Sequence, residues 1–373
     1  MVKDYLGKDI PKLGFGLMRL PMLDEEVDMV QVEKMVDRFM EEGFTYFDTA
    51  YVYINGKSEV VAKEAIVNRY PREAFQLATK MSVWMVKKYE DFQQYFDTQL
   101  ERTGAGYFDF YLLHSLDADK AKEVEGLGGW DFIKDKKEKG FIKHIGFSFH
   151  DKAEVLDEIL TKHPEAEFVQ LQINYADWEN DDVQSRLCYE VARKHNTPII
   201  IMEPIKGGSL AGMTPEIQKM FKEANPELSV ASWAIRYAAS LEGVVTVLSG
   251  MSDLAQMEDN LSYMTDFKPL NEGEYEIINA AIEEMAKIPT IPCTACKYCV
   301  EDCPQKINIP GVFESMNSLK VYQNEDSSKG MYRWITSSSG KASECIACGS
   351  CESLCPQHIS IIDTLKEVAA ALE

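Results

Sequence analysis

Positive charge is in short supply. The 373 residues include 39 Lys and Arg against 61 Asp and Glu, a formal net charge of −22. A surface of that sign repels nucleic acid and anionic lipid, so neither is expected as a partner. Long apolar runs are missing too. No window approaches an uninterrupted membrane span, and the opening stretch "MVKDYLGKDIPKLGFG" holds no apolar segment long enough for a secretory signal. The expectation is a cytoplasmic protein. Cysteine is the sharpest shortage, since the first 290 residues carry only Cys188.

The remainder of the chain reverses that last scarcity. "PCTACKYCVEDCP" and "ECIACGSCESLCP" each place cysteines in the order C-x-x-C-x-x-C-x-x-x-C-P. In a secreted protein eight cysteines would suggest four disulfides, whereas in a reducing cytosol they suggest metal. Zinc would call for two close pairs separated by a loop. Three cysteines at every third position, a fourth four further on and then Pro form instead the bacterial ferredoxin pattern for a 4Fe-4S cluster, and it occurs twice. In such pairs the fourth cysteine of each run serves the other cluster. One cluster is therefore expected on Cys293, Cys296, Cys299 and Cys355, the other on Cys345, Cys348, Cys351 and Cys303. Between and after the runs, "VFESMNSLKVYQNE", "KGMYRWIT" and "IIDTLKEVAAALE" have helical spacing of apolar residues. Residues 290–373 thus resemble a mainly helical ferredoxin-like domain of the kind found in multi-subunit electron-transfer enzymes.

Upstream, short apolar runs alternate with amphipathic helical stretches. The runs are "KLGFGLM", "FTYFDTA", "FQLATK", "FDFYLLH", "IKHIGFSF", "FVQLQINY", "TPIIIMEP" and "GVVTVLSG". Eight strand–helix units over about 270 residues are what a (β/α)8 TIM barrel of the α/β class needs, and a doubly wound sheet would show fewer. The helical pattern "NEGEYEIINAAIEEMAKI" closes this domain, which spans residues 1–289. Chemistry in such barrels sits at the carboxyl ends of the strands. Those ends read Asp48, Lys80, His114, Ser148, Gln172, Glu203 and Ser249, with Tyr53 in the loop after Asp48.

These residues bring a family into view. "FDTAYVY", "ATK" and "LLH" resemble the catalytic segments of the aldo-keto reductases, and "GFSF" and "QINY" resemble that family's fifth and sixth strands. The likeness covers roughly residues 10–265, with the cluster domain appended as in an iron-sulfur branch of the family. It implies Asp48, Tyr53, Lys80 and His114 as the catalytic set. The chemistry agrees with those residue types. Hydride transfer to a carbonyl leaves negative charge on oxygen, which needs a proton donor beside it. A phenol titrates near pH 10 unaided; the Lys80 cation is expected to lower that value, with Asp48 keeping Lys80 charged. His114 would donate a second hydrogen bond and align the carbonyl.

The resemblance also implies a nicotinamide held by Ser148 and Gln172, although Phe149 stands where the family has Asn, and Met202 where it has a stacking aromatic. "SGMSDLAQMEDN" is similar to the segment that wraps the adenosine phosphate, with Asp259 and Asn260 in place. Gly250 and Gln256 occupy positions of a phosphate-binding Lys and Arg, leaving Lys206 as the nearest cation. Two lost cations weaken a 2′-phosphate grip, so NAD(H) is expected to bind at least as well as NADP(H).

A nicotinamide delivers two electrons as hydride and each cluster carries one, so coupling them calls for a flavin or a radical. No flavin fingerprint is visible. The clusters are either structural or pass electrons from a ferredoxin or flavoprotein partner. Three classes stay open: a reductase of a small-molecule carbonyl (or oxidant of an alcohol), an electron-transfer protein with the barrel as docking scaffold, and a non-catalytic redox-sensing subunit. Trp84, Trp178, Tyr51 and Met85 are expected to border the substrate pocket. The other histidines, His150 near strand five excepted, read as surface or packing residues.

Overall fold

The computed structural model describes Leu6 and residues 9–373. Residues 1–5, 7 and 8 of the opening stretch read above lie outside the described residues. Eight parallel strands close into a barrel: β1 (Leu13–Gly16), β2 (Tyr46–Asp48), β3 (Gln76–Met81), β4 (Phe108–Leu116), β5 (Ile142–Phe149), β6 (Phe168–Gln172), β7 (Ile199–Met202) and β8 (Val244–Ser249). All eight apolar runs become strands. They are near-continuous runs rather than alternating ones because both faces are covered, the interior by side chains and the exterior by helices. β1, β2, β3 and β8 are buried at every position.

Closure is made by β1, which pairs with β8 through Leu13↔Val247 and with β2 through Gly14↔Tyr46. A Cβ at Gly14 would stand 2.8 Å from Leu248 Cδ2, so only glycine lets these strands approach. The interior is filled by Tyr46, Ala78, Phe110, Leu112, Phe168, Ile200 and Leu248, joined by Leu6 and Ile10 from the segment before β1. Edge-to-face packing of Phe110 on Tyr46 (5.0 Å) and on Phe168 (5.2 Å) ties three strands together. No described helix is long and apolar enough to cross a membrane.

By internal contacts the chain forms two compact units. One runs to Pro204 and resumes at Ala234–Leu270; the other comprises Ile205–Trp233 and Asn271–Glu373. The second unit therefore takes in the connection after β7 and the helix Glu272–Ala286, stretches that sequence spacing places with the barrel. Hydrogen bonds account for its first segment. The turn Lys206–Ala211 bends through positive φ at Lys206, Gly207 and Gly208. Asn324 Nδ2 donates to Gly208 O (2.9 Å), Ser327 Oγ to Gly207 O (3.3 Å), and Met213 N to Tyr322 O (2.5 Å). These atoms belong to the corner between the helices Ile309–Tyr322 and Glu325–Thr336. Asn308 and Asn324 cap the two helices at their amino ends, as short polar side chains do. The core of this unit is Ile307, Ile309, Val312, Phe313, Tyr332, Ile361, Leu365 and Val368, with Cys299 and Cys351 among them.

Candidate active site and cysteine-lined cavities

Asp48 ends β2 and Lys80 lies on β3, two strands paired at Asp48↔Ala78. Lys80 Nζ donates to Asp48 Oδ1 at 2.5 Å and to Thr49 O at 2.8 Å, with both charged side chains almost wholly buried. Gln170 Nε2, from β6, donates to the other Asp48 oxygen at 3.3 Å. Burial pulls the Lys80 ammonium down, but Asp48 and the nearby Tyr53 more than offset this, and Lys80 is held charged. Its Nζ stands 4.7 Å from the Tyr53 ring centre. His114, on β4, lies 5.9 Å from the Tyr53 ring and 5.1 Å from Trp84. Its Nδ1 is buried with no hydrogen-bond partner. Burial, then the neighbouring Lys80 and, less, His150 and Lys120, hold His114 well below the usual imidazole range, so the ring is neutral at neutral pH.

Lys80 pulls the Tyr53 phenol down as expected, but burial is the larger effect and leaves it above its ordinary value. Desolvation of a phenolate costs more than one nearby cation returns, because that cation is itself shared with Asp48.

The structure thus brings Asp48, Tyr53, Lys80 and His114 together, with Trp84 against them. Tyr51 instead packs on Tyr95 (5.2 Å) and Trp178 on Tyr237 (5.9 Å), while Met85 O accepts from Tyr95 OH at 3.3 Å. Ser148 and Gln172 end the fifth and sixth strands. Ser148 Oγ accepts from Ser115 N at 2.7 Å, and Gln172 Nε2 donates to Asp177 at 3.2 Å. Beyond β8, Gln256 is tied into its helix's amino end: its N and Nε2 donate to the capping Asp253, and its Oε1 accepts from Ser252 N. Asn260 Nδ2 donates to Ser249 Oγ (2.7 Å) and Asn260 Oδ1 accepts from Tyr263 OH (2.5 Å), so this buried amide braces the end of β8. Asp259 is half-buried on the same helix, and its main-chain oxygen accepts from Ser262 Oγ. Lys206 falls in the second unit, in the turn fastened by Asn324 and Ser327.

Within the second unit, Cys293, Cys296, Cys299 and Cys355 line one small cavity. Cys303, Cys345, Cys348 and Cys351 line another. Each quartet is three cysteines of one run and the fourth of the other. Among the described residues no three His, Cys, Asp or Glu side chains converge as ligands of a single ion. Four cysteine thiolates in each quartet are the donor set that a 4Fe-4S cluster takes.

The sequence pattern of the aldo/keto reductase family matches residues 12–283, and that of a 4Fe-4S dicluster domain matches residues 292–360. The chain belongs to the aldo/keto reductase family. A probable aldo-keto reductase of Glycine max is 31% identical over 189 residues, 47% of this chain and about half (51%) of that protein. A 9,11-endoperoxide prostaglandin H2 reductase of Trypanosoma cruzi is 26% identical over 281 residues, 74% of this chain and 89% of that one. Among solved structures, an aldo-keto reductase of Klebsiella pneumoniae in complex with NADPH superposes with a TM-score of 0.60. It is 19% identical and covers 73% of this chain and 90% of its own, a likeness of fold.

In this aldo/keto reductase, sequence reading missed one residue near the end of β8. Arg19, just past β1, lies with its side chain 3.4–3.6 Å from where a Cβ on Gly250 would stand. It also faces Glu203, at the end of β7, across 3.8 Å. The signal was a lone "MR" after the first strand. Only closure of β1 onto β8 makes the first loop a neighbour of the last, and that adjacency is invisible along the chain.

Proposed function

We propose that this protein reduces a small-molecule carbonyl, or oxidises the corresponding alcohol, with Tyr53 as general acid or base, and holds two 4Fe-4S clusters. The observation that carries the reading is the buried Lys80, bonded at 2.5 Å to Asp48 with its Nζ 4.7 Å from the Tyr53 ring centre. A buried lysine kept charged in that way can stabilise a phenolate and return its proton. Tyr53 hands its proton to the carbonyl oxygen as negative charge develops there. Lys80 then carries the charge left on the phenolate, and Asp48 keeps Lys80 from moving. The neutral imidazole of His114 donates to the same oxygen and fixes its direction.

A bound nicotinamide supplies the hydride and a bound cluster one electron at a time. The residues present fit a nicotinamide. His114 Nδ1 is a buried atom awaiting a partner, and Gln172 Oε1 takes part in no hydrogen bond among the described residues while Ser148 Oγ only accepts one. Those valences suit a carboxamide. Asp259 and Asn260 would brace the adenosine end, with Gly250 leaving room there for Arg19. In the second unit the two quartets would each hold one cluster, and an electron-carrying ferredoxin or flavoprotein is the fitting partner. We take residues 1–289 and 290–373 as the functional domains and the cytoplasm as the location.

Anaerobically purified protein, offered NADH and a panel of aldehydes, should lose nicotinamide absorbance. Tyr53→Phe should not. Turnover surviving in Tyr53→Phe would require another proton donor and end this reading.

A further inference from the structure

We propose that Arg102 and Glu59, assigned no role by anything above, are positioning residues that hold the Tyr53 loop against Lys80; this rests on the reading of Tyr53 as proton donor. The loop is one that cannot hold itself. Directly after Tyr53 the backbone passes through Ile54 (φ 50, ψ 49), Asn55 (φ 53, ψ 37) and Gly56 (φ 84). For a β-branched residue the left-handed region is an outlier, so Ile54 persists there only where the surroundings impose it, while Asn55 and Gly56 tolerate it.

Arg102, in the last turn of the helix Tyr89–Thr103, supplies that constraint. Its NH1 donates to Tyr51 O at 3.1 Å, and its guanidinium carbon lies 4.2 Å from the Tyr51 ring centre. Its two terminal nitrogens stand 3.4 and 3.5 Å from the point a Cβ on Gly56 would occupy. One side chain thus bears on the loop both before and after Tyr53. A planar guanidinium can do both at once, stacking and donating, where a lysine cannot.

Arg102 is in turn anchored. Glu59, wholly buried, accepts from Arg102 NH1 at 3.4 Å, from Thr79 Oγ1 at 2.7 Å and from Gln99 Nε2 at 2.8 Å. Gln99 Nε2 also donates to the Lys80 main-chain oxygen at 3.1 Å, while Gln99 Oε1 accepts from Tyr111 OH at 2.6 Å. The network that grips the Tyr53 loop therefore also grips the backbone of Lys80. The distance between phenol and ammonium is thereby set by residues other than the two that it separates. A buried acid with every bond satisfied is costly to rearrange, which is what a rigid spacer requires.

The test uses the cluster-containing protein grown with 3-fluorotyrosine, the residue-53 fluorine signal being the one absent in Tyr53→Phe. In Arg102→Ala that signal should shift or broaden and titrate at higher pH, because the phenolate loses Lys80. Arg102→Lys and Glu59→Gln should move it the same way by less, and they decide the matter if the alanine variant does not fold. For Arg102→Ala, kcat should fall about 10- to 100-fold. NADH affinity should stay within about twofold, since only the donor has moved. Millimolar guanidinium should restore part of the rate. An unchanged fluorine signal and titration in folded variants would overturn the proposal. If the wild type turns over no carbonyl, the functional reading fails while the fluorine signal still decides positioning.

Discussion

The two halves of this protein solve the problem of buried polar groups in opposite ways. In the barrel, Lys80 is satisfied by Asp48 and Thr49, Asp48 by Gln170 as well, and Glu59 by Thr79, Gln99 and Arg102. Almost every charge is answered by another side chain of the same unit, and β2 and β3 are buried along their whole length. The cysteine unit is built around its donors instead. Cys299 and Cys351 sit inside the apolar core of Ile307, Val312, Phe313 and Leu365, and each belongs to a quartet lining a cavity. Burial pushes the Cys299 thiol up to about 11, a thiol that metal binding must deprotonate. A barrel of this kind should fold without its ligand, and a thiol-ringed core should not.

The largest effect expected from that contrast is on the second unit. Anaerobic protein should contain about eight iron atoms per chain with matching sulfide, and chelation should unfold this unit while the barrel keeps its circular dichroism. Stoichiometric zinc without sulfide would contradict the cluster assignment. Equal loss of structure in both units would erase the comparison itself.

The second effect is confined to the barrel. Tyr53→Phe should lower carbonyl reduction by about 10²- to 10⁴-fold, the usual worth of a positioned acid. Iron content and NADH binding should not change, as shown by elemental analysis and fluorescence titration. A variant that also lost iron would mean that the two units do not behave separately.

Acidity should sharpen the same contrast. His114 is held below the usual imidazole range, so in the folded protein it stays neutral where an unfolded chain would take up a proton. That penalty on folding is absent above about pH 6.5 and grows as pH falls below it, because the unfolded state then binds the extra proton. Tyr53 is pushed above its ordinary value and remains protonated past about pH 10. The rate of reduction should therefore be level across the neutral range, with its alkaline limb above about pH 10. A limb near pH 8 in a kcat profile would show that the phenol is far more acidic in the working protein.

How much of this was legible along the chain follows from the kind of signal each part needs. β1 to β8 were readable because strands buried on both faces are continuous apolar runs, and the cysteine quartets because ligand spacing is written in consecutive residues. Gln256 stands by resemblance at a cofactor position, and its bonds to Asp253 three residues earlier compete for the same side chain in a way that resemblance does not show. Residues 205–233 look like any other barrel connection until Asn324 and Ser327, more than a hundred residues away, are found bonded to Gly207 and Gly208. Arg102 and Glu59 carry no motif, because any sequence that satisfies a buried acid would serve.

The smallest effect concerns which nicotinamide binds. Gly250 and Gln256 lack the charges that grip a 2′-phosphate in the family, and each such contact is worth about 1.5–3 kcal/mol. Asp253, capping the helix that follows, adds an acid where an anion would otherwise find a helix amino end. Against this stands Arg19, beside Gly250 but also facing Glu203 at 3.8 Å. One half-exposed guanidinium shared with a carboxylate recovers only part of two dedicated cations. NADH should therefore bind at least as tightly as NADPH, and Arg19→Met should weaken NADPH more than NADH, by about 3- to 10-fold. Fluorescence titration with both nucleotides measures this directly. Submicromolar NADPH beside much weaker NADH, unaltered in Arg19→Met, would place the phosphate grip on residues other than these.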